Sequence, residues 1–304
     1  MIALSGVIPA KLYRSAMRLI IVSGLSGSGK SVALNVLEDL GWYCVDNIPT
    51  ALLNDFISYS IRRDSKVYDR CAVGIDARNE PHDIAAVPQL AQDLRRSGIE
   101  CEIVFLHATE NALLRRYGDT RRRHPLAHDG LSLKDALAAE LKLLEPITYS
   151  ADLVIDTTTS SVHDLRDLLG KRIEKRHPGR LSIMFESFGY KHGIPAGADF
   201  VFDARTLPNP YWEPALRALD GRDRATIEFL ENQPAVSEFL VDAIQFIERR
   251  LPLYIEKNRA YLTVAIGCTG GQHRSVFLVE RLKAHFSASY ASVNAHHGSL
   301  TIKS

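Results

Sequence analysis

Gly24, Leu25, Ser26, Gly27, Ser28, Gly29, Lys30 and Ser31 complete the pattern G-x-x-x-x-G-K-[ST] without a gap. Glycines at this spacing let backbone N–H groups close around phosphate oxygens, and a helix opening at the lysine adds partial positive charge. In that chemistry Lys30 reaches the β- and γ-phosphates of a nucleotide and the Ser31 hydroxyl ligates Mg2+. A flexible Gly/Ser loop is the plain alternative. Against it, the octet directly follows an apolar run and opens a helical pattern, the context the motif requires. The chemistry also needs a carboxylate at the end of a neighbouring strand. Asp76, after Cys71-Ala72-Val73-Gly74-Ile75 and before Ala77, Arg78 and Asn79, is preferred for the Mg2+ or nucleotide side. Asp46, after Tyr43-Cys44-Val45, is the second candidate, at a place where related kinases often hold a substrate. Either is equally compatible with a turn residue, since Asp favours strand exits. Lys30 and Asp76 form the candidate catalytic pair.

Arg115, Arg116, Arg121, Arg122 and Arg123 stand against one acid, Asp119. They suit a lid that neutralises phosphate charge, or a solvated helix face; both readings stay open. A second glycine-rich loop runs from Gly267 through Cys268, Thr269, Gly270, Gly271, Gln272, His273 and Arg274 to Ser275. It again links an apolar strand to a helix, and its consecutive N–H groups with Arg274 make an anion cradle for a phosphate or phosphosugar. Cys268-x5-Arg274-Ser275 also matches the loop of cysteine-dependent phosphatases, where a thiolate attacks phosphorus. Here Gly267 replaces the histidine usual before that cysteine, and no general acid is identifiable. Anion binding ranks first, a structural turn second and phosphatase chemistry third. Lys191, His192, Asp203, Arg205 and Asn209, in polar clusters at strand ends, are candidates to line the same pocket, although single loop cations are commonly just solvated.

The elements that position these groups follow from hydrophobic periodicity. Leu19–Ser23, Tyr43–Val45, Cys71–Ile75, Ile103–Leu106 and Leu153–Ile155 are short apolar runs separated by helical patterns. Such alternation predicts an α/β fold: a P-loop kinase-like parallel sheet domain, followed by a second, smaller α/β domain. In the second part 181–185, 200–202 and 261–266 read as strands. A long helix follows Ser237, ended or kinked by Pro252, and 275–286 is helical. The tract 171–180 (KRIEKRHPGR) is the expected boundary. The expected division is 1–16, a leader or a start placed too early; 17–170, nucleotide binding; 171–180, a basic linker; and 181–304, phosphosugar sensing. At 304 residues there is material for two cores. A 46% hydrophobic share excludes wholesale disorder. No ~18-residue apolar run exists to span a membrane, so no membrane partner is expected. The four cysteines form no C-x-x-C pair and read as thiols in a reducing compartment. Charges follow the apolar start, the wrong order for a secretory signal, so the cytoplasm is the expected location.

Taken together, VSGLSGSGKSVALNVLEDLGWYCVDNIP, IDARN, RRYGDTRRRHPL, ESFGYKHGIP, FDARTLPNP and YLTVAIGCTGGQHRSV resemble the RapZ/YvcJ family, from about Met17 to about His285. The resemblance implies ATP binding at residues 24–31 and GTP binding around Asp76, Ala77, Arg78 and Asn79, with slow hydrolysis of both. It also implies a regulatory C-terminal domain sensing glucosamine 6-phosphate, with Thr269, Gly270, His273 and Arg274 as the matching positions. One branch of the family is an RNase adapter that delivers a small regulatory RNA to an endoribonuclease and so controls amino-sugar synthesis. The expected partners are therefore nucleotide, phosphosugar, that RNA and its nuclease, and further copies of the chain. Two departures stand out. The RNA-binding branch ends in a strongly basic tail, whereas residues 295–304 here carry one cation besides histidines. Fewer phosphate contacts mean weaker and less salt-dependent RNA binding. Tyr211 replaces a histidine of some relatives and is not transferred as a sugar ligand. A small-molecule kinase is the alternative function, and a cysteine phosphatase a weaker one.

The net charge of +1 is a cancellation. Residues 17–170 hold 17 cations and 22 acids, net −5, while residues 171–304 hold 18 and 14, net +4. A uniformly basic nucleic-acid binder is excluded; a local basic strap at 171–180 is not.

Overall fold

The computed structural model describes residues 17–63, 65–120, 123–127, 131–174 and 180–300. They form two compact units, the first ending at Thr158 and the second beginning at Thr159. The first is a five-stranded sheet of β1 (Arg18–Gly24), β2 (Tyr43–Val45), β3 (Arg70–Gly74), β4 (Glu100–His107) and β5 (Leu153–Asp156). Its order is β2-β3-β1-β4-β5 and every neighbouring pair is parallel. Parallel neighbours need crossovers. These are carried by α1 (Lys30–Asp39), α2 (Leu53–Arg62), α3 (Pro81–Arg96), α4 (Glu110–Thr120), α5 (Leu133–Leu143) and α6 (Glu145–Tyr149). Leu19, Ile20, Ile21 and Val22 are all essentially inaccessible. Successive strand residues point to opposite faces, so β1 is covered on both. The chain leaves β1 for the edge strand β2, returns to β3 beside β1 and then crosses to β4 and β5 on the other side, which opens the ligand crevice of such sheets at the carboxyl end of β1.

The second unit starts with α7 (Val162–Leu169), which runs into a π turn over Gly170–Glu174. Then come β6 (Ser182–Gly189), β7 (Phe200–Asp203), α8 (Arg224–Glu231), α9 (Pro234–Glu256), β8 (Tyr261–Cys268), α10 (Arg274–Ser287) and β9 (Val293–His297). The sheet order is β7-β8-β6-β9, again all parallel. Phe185, Leu262, Val264, Ile266, Leu282 and Phe286 are among its fully buried core. Chain order again leaves β8 between β7 and β6, so the second glycine-rich loop leaves from the middle of the sheet.

The helix α7 falls in the second compact unit. Two features differ from the expectations of sequence. Pro252 neither ends α9 nor stands at its edge; the helix continues to Glu256. Arg172 of the basic tract is wholly buried. It donates to Thr263 Oγ1 at 2.9 Å and to the carbonyls of Ser182 and Leu262 at 3.4 Å, under the Tyr261 ring. Burial pushes its pKa down to about 10. The expected leader 1–16, positions 175–179 of the tract and tail residues 301–304 lie outside the described residues. Among the described residues no helix is long and apolar enough to cross a membrane.

Candidate functional site

The phosphate-loop octet joins β1 to α1. Gly24 has a positive φ, and a Cβ there would meet the Leu106 carbonyl at 2.5 Å, so the tight exit from β1 against β4 demands glycine. The loop's carbonyl oxygens turn toward protein donors. Leu25 O accepts from Ser28 N at 2.8 Å, Gly27 O from Arg116 Nη1 at 3.0 Å, and Ser28 O from Thr157 Oγ1 at 2.8 Å. That is the polarity a loop needs to present N–H groups to an anion.

Lys30, first residue of α1, is held between two carboxylates. It pairs with Asp46, beyond the end of β2, and lies 3.3 Å from Asp76 Oδ2, beyond the end of β3. The Ser31 hydroxyl is 3.5 Å from Asp46 Oδ2. Asp76 is buried, and both its oxygens engage Arg78: Nη2 at 2.6 Å to Oδ2, Nε and the backbone N–H at 3.1 and 3.0 Å to Oδ1. Burial alone would raise the pKa of Asp76. The Arg78 hydrogen bonds and the charges of Lys30 and Arg78 outweigh it and lower the value. The structure thus brings Lys30, Ser31, Asp46, Asp76 and Arg78 together. Ala77 is buried. Asn79 faces elsewhere: its Oδ1 accepts from Thr50 N and Oγ1 at 2.9 and 3.1 Å, which pins the segment without offering it to the loop. Of the arginine run, Arg116 bonds the loop and Thr157, Arg115 and Arg123 are exposed, and Arg121 and Arg122 lie outside the described residues.

Sequence reasoning missed Glu140. It is fully buried on α5, and its carboxylate accepts from Ser26 N at 2.9 Å and Ser26 Oγ at 2.6 Å. Its Oε2 also accepts from His124 Nε2 at 3.0 Å, while His124 Nδ1 accepts from Leu126 N at 3.1 Å. One carboxylate therefore ties the phosphate loop to the chain just beyond the arginines. The available signal was its phase: Glu140 shares the buried face of α5 with Ala136 and Leu137.

In the second unit the carboxyl ends of all four strands lie along one edge of the sheet. Cys268 ends β8 and is buried. Its Sγ lies 3.2 Å from Ser275 Oγ and accepts from Gly271 N at 3.2 Å. Burial alone would raise the thiol pKa. Hydrogen bonds from the Ser275 hydroxyl and N–H and from Gly271 N–H, with the Arg274 charge, outweigh it and lower the value. The contrast is with Cys44, pushed up to about 11, and Cys71 and Cys101, pushed up to about 12, all chiefly by burial. Arg274 is buried. Its Nη1 donates to the carbonyls of Arg205 and Leu207, both at 2.9 Å, and Nη2 lies 3.4 Å from Thr269 Oγ1. Its Nε is buried with no hydrogen-bond partner among the described residues. The arrangement can hold an anion beside the Cys268 thiol. A general acid is not supplied by Asp203, whose carboxylate is forked by Arg205 and held low by it.

The remaining candidates divide. Lys191 N–H approaches Thr269 O at 3.4 Å, and Arg205 lies over the Tyr190 ring at 3.8 Å; Lys191 and His192 are exposed. His273 turns away from the loop and meets Leu216 O through Nε2 at 3.2 Å. Asn209 caps the turn at Tyr211 and is not brought to the loop. Gly270 has open space around it, whereas Gly271, with φ +73°, is tightly enclosed.

Comparison with known proteins places residues 17–177 in the family described as the RapZ-like N-terminal domain and residues 181–301 in that of the RapZ C-terminal domain. A nucleotide-binding protein of Halorhodospira halophila is 50% identical over 287 residues, covering 94% of this chain and 100% of its own. One of Nitrosococcus oceani is 50% identical over 286 residues, with the same coverage. A solved shikimate kinase of Acinetobacter baumannii aligns with 55% of this chain and 97% of its own at 19% identity, with a TM-score of 0.34. A likeness that weak carries no argument.

Proposed function

The chain belongs to the RapZ-like family, and from that premise we propose a nucleotide-binding regulator. It binds ATP or GTP with Mg2+ at residues 24–31, hydrolyses them slowly, and senses an amino-sugar phosphate such as glucosamine 6-phosphate at the loop 267–275. The observation that carries the reading is Lys30 held between Asp46 and Asp76 at the start of the helix that follows the phosphate loop. The relatives from Halorhodospira and Nitrosococcus are named nucleotide-binding proteins, which supports the nucleotide part of the reading.

The residues fit Mg2+. The Ser31 hydroxyl and the nearby Asp46 carboxylate are hard oxygen donors, and this ion is commonly held by one or two carboxylates together with substrate phosphates. Asp46 is the better partner than Asp76, whose oxygens already serve Arg78. Bound Mg2+ neutralises charge on the terminal phosphates. Lys30 and Arg116 supply further positive charge, Asp76 holds Lys30 and Arg78 in position, and the loop N–H groups orient the phosphates. Turnover is slow because the Lys30 ammonium must leave two carboxylates to engage the nucleotide. Asp76 also lies at the phosphate end, where ATP and GTP are identical, so one site serves both. Inorganic-phosphate release from either nucleotide should be measurable in the native chain and fall at least ~100-fold in Lys30→Ala. Equal release from both proteins would remove the phosphate loop from the activity. Transfer to a small acceptor is the second reading, favoured by the position of Asp46. A labelled product after incubation of a metabolite mixture with labelled ATP would establish it.

The adapter role is the part of the reading that needs RNA. The contact then falls on cations of the strap other than Arg172, whose charge serves the core. A gel shift with small regulatory RNA should weaken as salt rises, and weaken again when Lys171, Lys175, Arg176 and Arg180 are neutralised. A shift indifferent to both would discard the strap as the RNA surface.

A further inference from the structure

The turn that follows β9 packs against the second glycine-rich loop. After β9 the chain turns through residues 297–300, and Leu300 N–H closes the turn on His297 O at 3.3 Å. Gly298 N–H donates to Ser187 O at 3.0 Å, and the Ser299 hydroxyl oxygen accepts from Gly189 N–H at 3.0 Å. The same hydroxyl lies against the loop. A Cβ on Gly271 would be 2.6 Å from both Ser299 Cβ and Gly189 N. Ser299 therefore packs where β6 ends and the loop 267–275 turns.

The turn is fastened to the helix that begins with the loop's arginine. His297 Nε2 donates to Glu280 Oε1 on α10 at 2.9 Å, leaving Nδ1 to accept from the buried Ser187 hydroxyl at 2.8 Å. The loop's own cation is firmly oriented: Arg274 gives Nη1 to two carbonyls, sets Nη2 3.4 Å from Thr269 Oγ1 and hydrogen-bonds the Cys268 side chain, while its buried Nε has no hydrogen-bond partner among the described residues. A serine hydroxyl that accepts through its oxygen still has a proton to donate.

We propose that residues 297–300 form the third wall of the anion site in the second unit, with the Ser299 hydroxyl, oriented by Gly189 N–H, donating to the phosphate that Arg274 holds. This rests on the reading of that loop as a phosphosugar site. Anion binding and docking of the C-terminal turn are then one event, because the same groups serve both.

Calorimetric titration of the full chain with glucosamine 6-phosphate tests it, using wild type, Ser299→Ala, Ser299→Thr and Arg274→Ala. A lost hydrogen bond to a charged ligand predicts about ten-fold weaker binding for Ser299→Ala. Ser299→Thr keeps the hydroxyl and binds within about two-fold of wild type on the same ground. Ligand should also slow hydrogen exchange at the Gly189 and Leu300 amides of wild type, a readout that holds even if Ser299→Ala loses stability. Wild-type affinity in Ser299→Ala with loss in Arg274→Ala overturns the third wall and leaves the phosphosugar reading standing. Unchanged exchange at Gly189 and Leu300 in saturated wild type overturns it too. No binding by wild type overturns both.

Discussion

Lys30 and Arg274 show how two cations of ordinary type acquire different tasks from their neighbours. Lys30 faces two carboxylates that a nucleotide's phosphates must displace, so its site is poised for exchange. Arg274 is anchored by two backbone carbonyls and buried, so its guanidinium is fixed in place rather than free to exchange partners. The motif made Lys30 and Ser31 legible, because their spacing carries the chemistry by itself. Glu140 was not legible: it acts across 114 positions of chain on Ser26, and a Glu in an Ala/Leu-rich helix reads as solvated. The structure makes it the brace of the phosphate loop. Glu140→Ala leaves Ser26 and His124 without their acceptor and should lower stability by about 3 kcal/mol. It should also raise the KM for ATP, whereas Glu140→Gln keeps the shape and part of the hydrogen bonding. Chemical denaturation and steady-state kinetics check the pair. A Glu140→Ala protein of native stability and native KM would show that the brace is idle.

At the scale of elements, parallel strands announce themselves as continuous apolar runs, and among the described residues β1 to β8 did. The ninth, β9, is Val293-Asn294-Ala295-His296-His297 at the edge of its sheet, partly exposed throughout. Its apolar content is too short to signal a strand. The same edge holds a pH response. Burial, together with the charges of Lys171 and His297, pushes His296 down to about 4, against a smaller opposing effect of Asp164. The unfolded chain protonates this histidine near pH 6.5, so the folded state is favoured above that value. The stability then declines as pH falls from about 6.5 toward 4, because only the unfolded form gains the proton. Thermal unfolding across this range should show the decline, and His296→Gln should flatten it. An equally steep decline in His296→Gln would assign the effect to other groups. Arg172 is the complementary lesson, since a basic tract reads as solvated strap and one of its members instead fills the core.

In each unit a glycine-rich loop joins a central parallel strand to a helix, β1 to α1 and β8 to α10. Fold class was readable because alternating strands and helices leave few arrangements. The partners of each loop were not, because carboxylates, carbonyls and hydroxyls arrive from distant segments through the folded sheet. The proposal that one phosphate loop serves both nucleotides is decided by displacement calorimetry, with Mg2+-ATP titrated into the full chain alone, into chain saturated with Mg2+-GTP, and into Lys30→Ala. A shared loop requires saturable binding to the free chain, apparent ATP affinity falling in proportion to the GTP present, and loss of binding in Lys30→Ala. Undiminished ATP binding in the presence of saturating GTP, or wild-type affinity in Lys30→Ala, would contradict it.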